Sequence, residues 1–242
     1  MSIFIEIYNL IFKFQDRKKE RFLRTINQNF RQLCEQNLAE SKSQKLQDLF
    51  VLSELSFKEN GFFVEFGATN GIDLSNTHLL EKKFRWSGIL AEPAKKWHHD
   101  LYKNRTAKIE TKCVWKTSGE ILKFKETSEA ELSTIASFAN SDKLQESRKS
   151  GTVYDVETIS LEDVLNEHNA PCLIDYLSID TEGSEFEILK NFNFSKYKFR
   201  IITCEHNYTE ARQQIYQLLT KNGYQRKFER LSKFDDWYVL SE

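Results

Sequence analysis

The chain has 242 residues, 40% apolar and 13% aromatic, with 19 phenylalanines but only 8 glycines and 2 prolines. That suffices for a packed core and excludes a loop-rich or disordered protein. The 36 acids and 35 bases leave a net charge of −1, so no global field draws the chain to nucleic acid or an anionic membrane.

Met1–Phe14 is apolar but carries Glu6 and Asn9, and it is too short to span a bilayer. The bases Arg17-Lys18-Lys19 follow the apolar part, the reverse of a secretory leader. The segment reads as a helix packed on the body or a partner, or as an interfacial helix touching a membrane through residues 1–19. Phe22, Ile26, Phe30 and Leu33 have helical spacing, so residues 20–45 are expected as a surface helix ending at Ser41-Lys42-Ser43. Residues 1–45 then form a helical extension to a domain at 46–242.

Within that domain a helix is expected from Leu46 to Phe57, stopped by Asn60-Gly61, followed by a buried strand at 62–66. The strand ends in a turn containing Gly67 and Gly71, and helix 74–84 follows. A second strand, Gly88–Ala91, ends at Glu92-Pro93. Helix 94–103 leads to a third strand at about 107–115, and Glu120–Lys125 alternates as a short extra strand. Residues 126–151 are polar and aperiodic, which reads as a lid-like insertion. Its Ser133, Thr134, Ser137, Asn140, Asp142 and Arg148 suit a polyhydroxylated ligand. Ser160 and Asp163 mark a helix start, as do Ser184 and Glu187. Strands Leu173–Ile179 and Arg200–Cys204 end in Asp180-Thr181-Glu182-Gly183 and Glu205-His206-Asn207. Helix 209–222 stops at Gly223, and a hairpin at about 224–231 and 236–240 closes the pattern. Alternating strands and helices make an α/β doubly wound sheet with helices on both faces, and the hairpin implies one antiparallel strand.

Cys34, Cys113, Cys172 and Cys204 are far apart, with no zinc-like spacing. Three sit in apolar runs, so buried free thiols in a reducing, cytoplasmic setting are expected, with the membrane-peripheral alternative carried by residues 1–19.

Parallel topology brings the strand ends Gly67/Gly71, Glu92, Asp180/Glu182 and Glu205 to one edge, where an open α/β sheet binds its ligand. The GxxxG spacing is neither a dinucleotide fingerprint nor a P-loop. Glu65 would repel a pyrophosphate but accept from an ammonium group. Glu92 lies 21 residues after Gly71, placed to accept both hydroxyls of a ribose. A ligand with a ribose, an ammonium and no phosphate is S-adenosylmethionine.

FVEFGATNG, the LSNT that follows, LEKKFRWSGILAEP at 80–93 and LSIDTEGSEFEIL at 177–189 resemble the FkbM-type methyltransferase family, as does QDLFV at 47–51. The resemblance covers about residue 46 onward; Asn70 stands where many relatives carry an acid. It implies a Rossmann-like class I methyltransferase with a mostly parallel seven-stranded sheet, dependent on S-adenosylmethionine and usually acting on oxygen. By position it implies Glu65, Gly67, Ala68 and Gly71 at the methionine part. Ser75 and Asn76 fall at its carboxylate, Glu92 at the ribose and Cys113-Val114 at the adenine, with Asp180 nearest the methyl-bearing end. Asp180 or His206 is nominated as base, with Glu182 orienting. A divalent metal, if present, would fall to Asp180, Glu205 and His206. The acceptor is expected to be a sugar or glycan-linked hydroxyl. The rivals are a lipid-linked, acid or protein acceptor, a non-catalytic binding module and, third, a dehydrogenase. No motif for flipped nucleic-acid bases is present.

Overall fold

The computed structural model describes Arg17 and residues 19–127, 133–138, 146 and 150–241. The apolar segment Met1–Phe14, most of the 126–151 insertion, and Asn140, Asp142 and Arg148 lie outside the described residues. The seven-stranded sheet is built from β1 (Phe62–Phe66), β2 (Ser87–Ala91), β3 (Lys108–Glu110), β8 (Leu173–Ile179), β9 (Lys198–Glu205), β10 (Tyr224–Lys227) and β11 (Asp235–Leu240). Across the sheet the order is β10-β11-β9-β8-β1-β2-β3. β11 alone runs antiparallel, pairing with β9 on one side and β10 on the other. This is the Rossmann-like, mostly parallel sheet with the C-terminal hairpin that the sequence implies.

Because side chains alternate along a strand, each strand feeds two cores. Val64, Ile89, Leu177 and Ile202 face one core, which is closed by α5 (Leu161–Glu167), α6 (Glu185–Lys190) and α7 (Ala211–Lys221). Phe63, Leu90, Tyr176 and Ile201 face the other, closed by α2 (Gln47–Glu54), α3 (His78–Phe84) and α4 (Lys95–Asn104). The near-continuous apolar runs of β1 and β8 follow from this double burial. No helix among the described residues is long and apolar enough to cross a membrane.

Several local expectations change. Residues 20–45 are not one surface helix: residues 19–25 are helical, a 3-10 turn covers Gln28–Phe30, and α1 is Arg31–Asn37. Phe22, Leu23, Ile26 and Cys34 are buried in the second core. The third strand divides, with β3 in the main sheet and β4 (Cys113–Trp115) in a separate one. That four-stranded sheet, ordered β4-β7-β5-β6, also holds β5 (Ile121–Thr127), β6 (Thr134–Ile135) and the long β7 (Gly151–Ser160). The reading of 126–151 as one irregular piece therefore misses the ends of β5 and β7 and the whole of β6. Exposed Lys123, Asp155 and Glu157 give these strands little apolar alternation. Cys172 is exposed, whereas Cys34, on a helix, is buried. Ser160 caps α5 as expected, accepting from the Asp163 N–H at 3.1 Å. Ser184 forms no such cap on α6; the buried Glu185 carboxylate instead accepts from the N–H groups of Thr181 (2.8 Å) and Gly183 (3.1 Å). The short helix α8 (Glu229–Ser232) connects β10 to β11.

Candidate active site

The carboxyl ends of β1, β2, β8 and β9 converge on a cavity of about 380 Å³, within the range of small-molecule sites. The second sheet supplies its other wall through Cys113, Val114, Phe124, Ser133 and Ile135. Glu65, Gly67, Asn76, Glu92, Cys113, Val114, Asp180, Glu182 and Glu205 all line this space. Ala68, Gly71, Ser75 and His206 do not.

The glycine turn is shaped by the protein rather than by room for a ligand. Gly67 has φ +76°, and a side chain there would overlap the Asp180 carbonyl oxygen, so β1 and β8 touch at their ends. Gly71 has φ +79°, and a Cβ there would lie 2.6 Å from Arg105 Cγ. Only glycine meets both demands. Asn70 Oδ1 accepts from the N–H groups of Ile72 and Asp73, both at 2.9 Å, which turns the loop.

Glu65 was expected to accept from an ammonium group. Its oxygens are already engaged by the Asn76 N–H (2.6 Å), Ser75 Oγ (2.9 Å) and Thr77 Oγ1 (2.5 Å). These bonds hold residues 75–77 out of helical geometry, so α3 begins at His78 rather than near 74. Ser75 Oγ accepts from the His78 N–H at 3.1 Å, serving the helix start. Arg105, absent from the sequence reading, underlies this network with its side chain fully buried. It donates to Glu81 (2.8 Å), the Gly71 carbonyl (3.0 Å), Ser75 Oγ (3.1 Å) and Thr77 Oγ1 (2.8 Å).

Glu92 joins the first two strand ends, accepting from the N–H groups of Thr69 and Ala94, both at 2.8 Å. Burial raises its pKa to about 7. Asn76 Nδ2 donates to Ser178 Oγ at 2.9 Å, while its buried Oδ1 has no partner among the described residues. An orphaned acceptor, an acid at the end of β2 and a concave apolar wall fit S-adenosylmethionine.

Asp180, Glu182 and Glu205 offer oxygens that lie within 4.8 Å of one another. Burial raises the pKa of Asp180 and Glu205 well above the carboxylate range, and each is pushed further by its acidic neighbours. The two carboxyl groups share a hydrogen bond, and two carboxyls so joined hold a proton between them. Glu205 Oε2 is buried without a partner among the described residues. Glu182 sits at φ +58°; its carboxylate accepts from Asn207 Nδ2 at 3.3 Å, and its carbonyl accepts from Thr134 Oγ1 of β6 at 3.0 Å.

His206 is placed elsewhere. Its Nδ1 accepts from the Tyr208 N–H at 2.9 Å, its Nε2 lies 3.7 Å from Asp236, and burial lowers its pKa. The acid triad therefore contains Glu182 where His206 was expected, and His206 is not positioned as a base. Sequence reasoning also missed Gln44, Thr69, Phe124, Tyr208 and Phe234 in the lining. Of these, Tyr208 carried a faint signal as an aromatic just beyond a strand end; it is 59% exposed at φ +57°.

A family model described as the methyltransferase FkbM domain matches residues 65–226. Among solved structures, a precorrin-6y C5,15-methyltransferase from Geobacter metallireducens is 11% identical, covering 84% of this chain and 94% of its own, with a TM-score of 0.43. A putative RNA methyltransferase from Pyrococcus horikoshii is 11% identical over 81% of this chain and 82% of its own, with a TM-score of 0.40. A SAM-dependent methyltransferase from Aquifex aeolicus is 8% identical over 81% of this chain and 89% of its own, with a TM-score of 0.39. No curated protein matches the chain.

Proposed function

The chain belongs to the FkbM methyltransferase family, and from that premise we propose that it transfers the methyl group of S-adenosylmethionine to a hydroxyl oxygen of a sugar or glycan-linked small molecule. The cofactor would be held by Gly67, Asn76, Glu92, Cys113 and Val114, and it supplies an electrophilic methyl on a positively charged sulfur. The observation that carries the choice of oxygen is the proton-sharing pair Asp180–Glu205 in the pocket. A neutral amine already presents a lone pair, whereas a hydroxyl must lose a proton as it attacks. Asp180, beside the glycine turn, accepts that proton; Glu205 steadies its charge, and Glu182 and Asn207 border the acceptor.

Five acids and no base line the pocket among the described residues. That field favours the cationic cofactor and disfavours an acidic acceptor. Polar Gln44, Ser133 and Asn207, with the exposed ring of Tyr208, suit a hydroxylated acceptor with one apolar face. A screen of nucleotide sugars and glycans for methyl acceptance tests this reading, and transfer only to amines or carboxylates would overturn it.

Glu92→Ala is expected to weaken cofactor binding by about 3 kcal/mol, roughly a hundredfold, from lost bonds to the ribose and to the Thr69 and Ala94 N–H groups. Calorimetry showing unchanged affinity would refute the assignment. Because the ionised carboxylate is the better acceptor and its pKa is about 7, affinity should rise as pH increases through 7, and Glu92→Gln should flatten that rise.

A second reading of the acid cluster is a divalent cation, favoured by the three oxygen-bearing groups lying within 4.8 Å. Chelation separates the two: with the proton-sharing pair as base, turnover survives thorough metal removal. Activity lost to chelator and restored by magnesium or manganese would establish the cation instead.

A further inference from the structure

A second cavity, of about 410 Å³, lies next to the first, and Gln44 lines both. Its rim carries Lys19, Arg21, Lys45, Arg230 and Lys233, no acid lines it among the described residues, and its floor includes Phe22 and Leu46. Lys45 lies over the Phe234 ring and faces the Asp235 carboxylate, and the acids beside the other four bases pair elsewhere. Glu20 pairs with Arg24, and Glu229 pairs with Arg212 and Arg226. In a chain of net charge −1, Lys19, Arg21, Arg230 and Lys233 around one hollow are a local segregation of charge that an anion would relieve. The bases come from three separate stretches of sequence, the N-terminal helix, the segment before α2, and α8 with the turn into β11. No single charged segment produces the patch.

The first pocket repels anions and the second attracts them, with Gln44 between. We propose that the second cavity binds a phosphate or diphosphate group on the acceptor, while the acceptor's hydroxyl-bearing part occupies the first. The proposal rests on the methyl-transfer reading for its acceptor, but the anion site itself does not. The apolar floor admits a hydrocarbon or base adjoining the phosphate, so the group could belong to a nucleotide-linked or a lipid-linked sugar. Opposite charge in the two cavities would fix which end of the acceptor faces Asp180.

Calorimetry on the full chain with inorganic pyrophosphate tests the site, and S-adenosylmethionine affinity is measured on the same samples. Pyrophosphate should bind, and Arg230→Glu with Lys233→Glu should weaken it at least tenfold while leaving cofactor affinity unchanged. Lys19→Glu with Arg21→Glu, from a separate element, should do the same, which guards against a local folding defect in either variant. For a phosphosugar that accepts the methyl group, these variants should raise KM and leave kcat unaltered, with no change for its dephosphorylated form. Pyrophosphate that does not bind, or binds the variants as tightly, overturns the proposal. So does capture by phosphatidylglycerol vesicles without competition from pyrophosphate, which would make the patch a membrane surface. Pyrophosphate binding without cofactor binding would sink the methyltransferase reading and leave the anion site standing.

Discussion

Asp180→Asn is expected to lower turnover by roughly 10²–10⁴-fold, the usual yield of a positioned base, while cofactor affinity stays within about threefold. The substitution keeps the size of the side chain and removes the charge that the hydroxyl proton needs. Burial and acidic neighbours raise the Asp180–Glu205 pair well above ordinary carboxylates. Below the pair's apparent pKa both members are protonated and no base is available. Turnover should therefore climb with pH and level off once Asp180 is ionised, and the variant should lose that climb. Glu205→Gln keeps a hydrogen-bond donor in its amide but leaves Asp180 as the pair's one titrating carboxyl, so its pH profile should shift rather than vanish. A rate for Asp180→Asn within tenfold of the parent would remove Asp180 from the role of base.

Arg105→Ala is expected to destabilise the fold by about 3–5 kcal/mol, because it leaves Glu81 and Glu65 buried beside an unfilled space. Arg105 donates to Glu81 at 2.8 Å and lies 3.8 Å from Glu65, and its side chain is fully buried. At about 2–4 °C per kcal/mol for a chain of this size, the melting temperature should fall by roughly 6–20 °C. Arg105→Lys keeps the charge but loses the planar fork that reaches four acceptors, so much of the loss should remain. A thermal melt within 2 °C of the parent would show that the network does not depend on Arg105. The effect on catalysis is indirect: this arginine touches the loop that carries Asn76, not the cavity.

The sequence made the large sheet and the edge at which its acids gather readable because parallel strands buried on both faces are written as unbroken apolar runs. Glu65, Glu92, Asp180 and Glu205 each follow or end such a run, so their convergence needed only topology. What those acids hold was not readable, since that depends on partners far along the chain. Glu65 binds the backbone and hydroxyls of residues 75–77, and Gly71 makes room for an arginine 34 positions later. His206 illustrates the same limit: one position separates it from Glu205, yet alternation along the strand end turns it towards Asp236. The second sheet was obscured by exposed, charged strands whose pattern resembles loop. Cys172, in an apolar run, lies where β8 begins at the surface.

The strand that arrives last in the sheet, β11, is bonded on both sides by strands made before it. β10 therefore has no neighbour in the sheet until β11 is in place. Until Asp235–Leu240 slide between β9 and β10, the outer backbone of β9 is an unpaired edge open to another chain. During that interval Gln47 has no Asp235 to bond, and Arg212 and Arg226 have no Asp236. The wall of the pocket behind Glu205 is complete only once β11 is in place, so a chain still open at β9 both exposes an edge and lacks part of its ligand site.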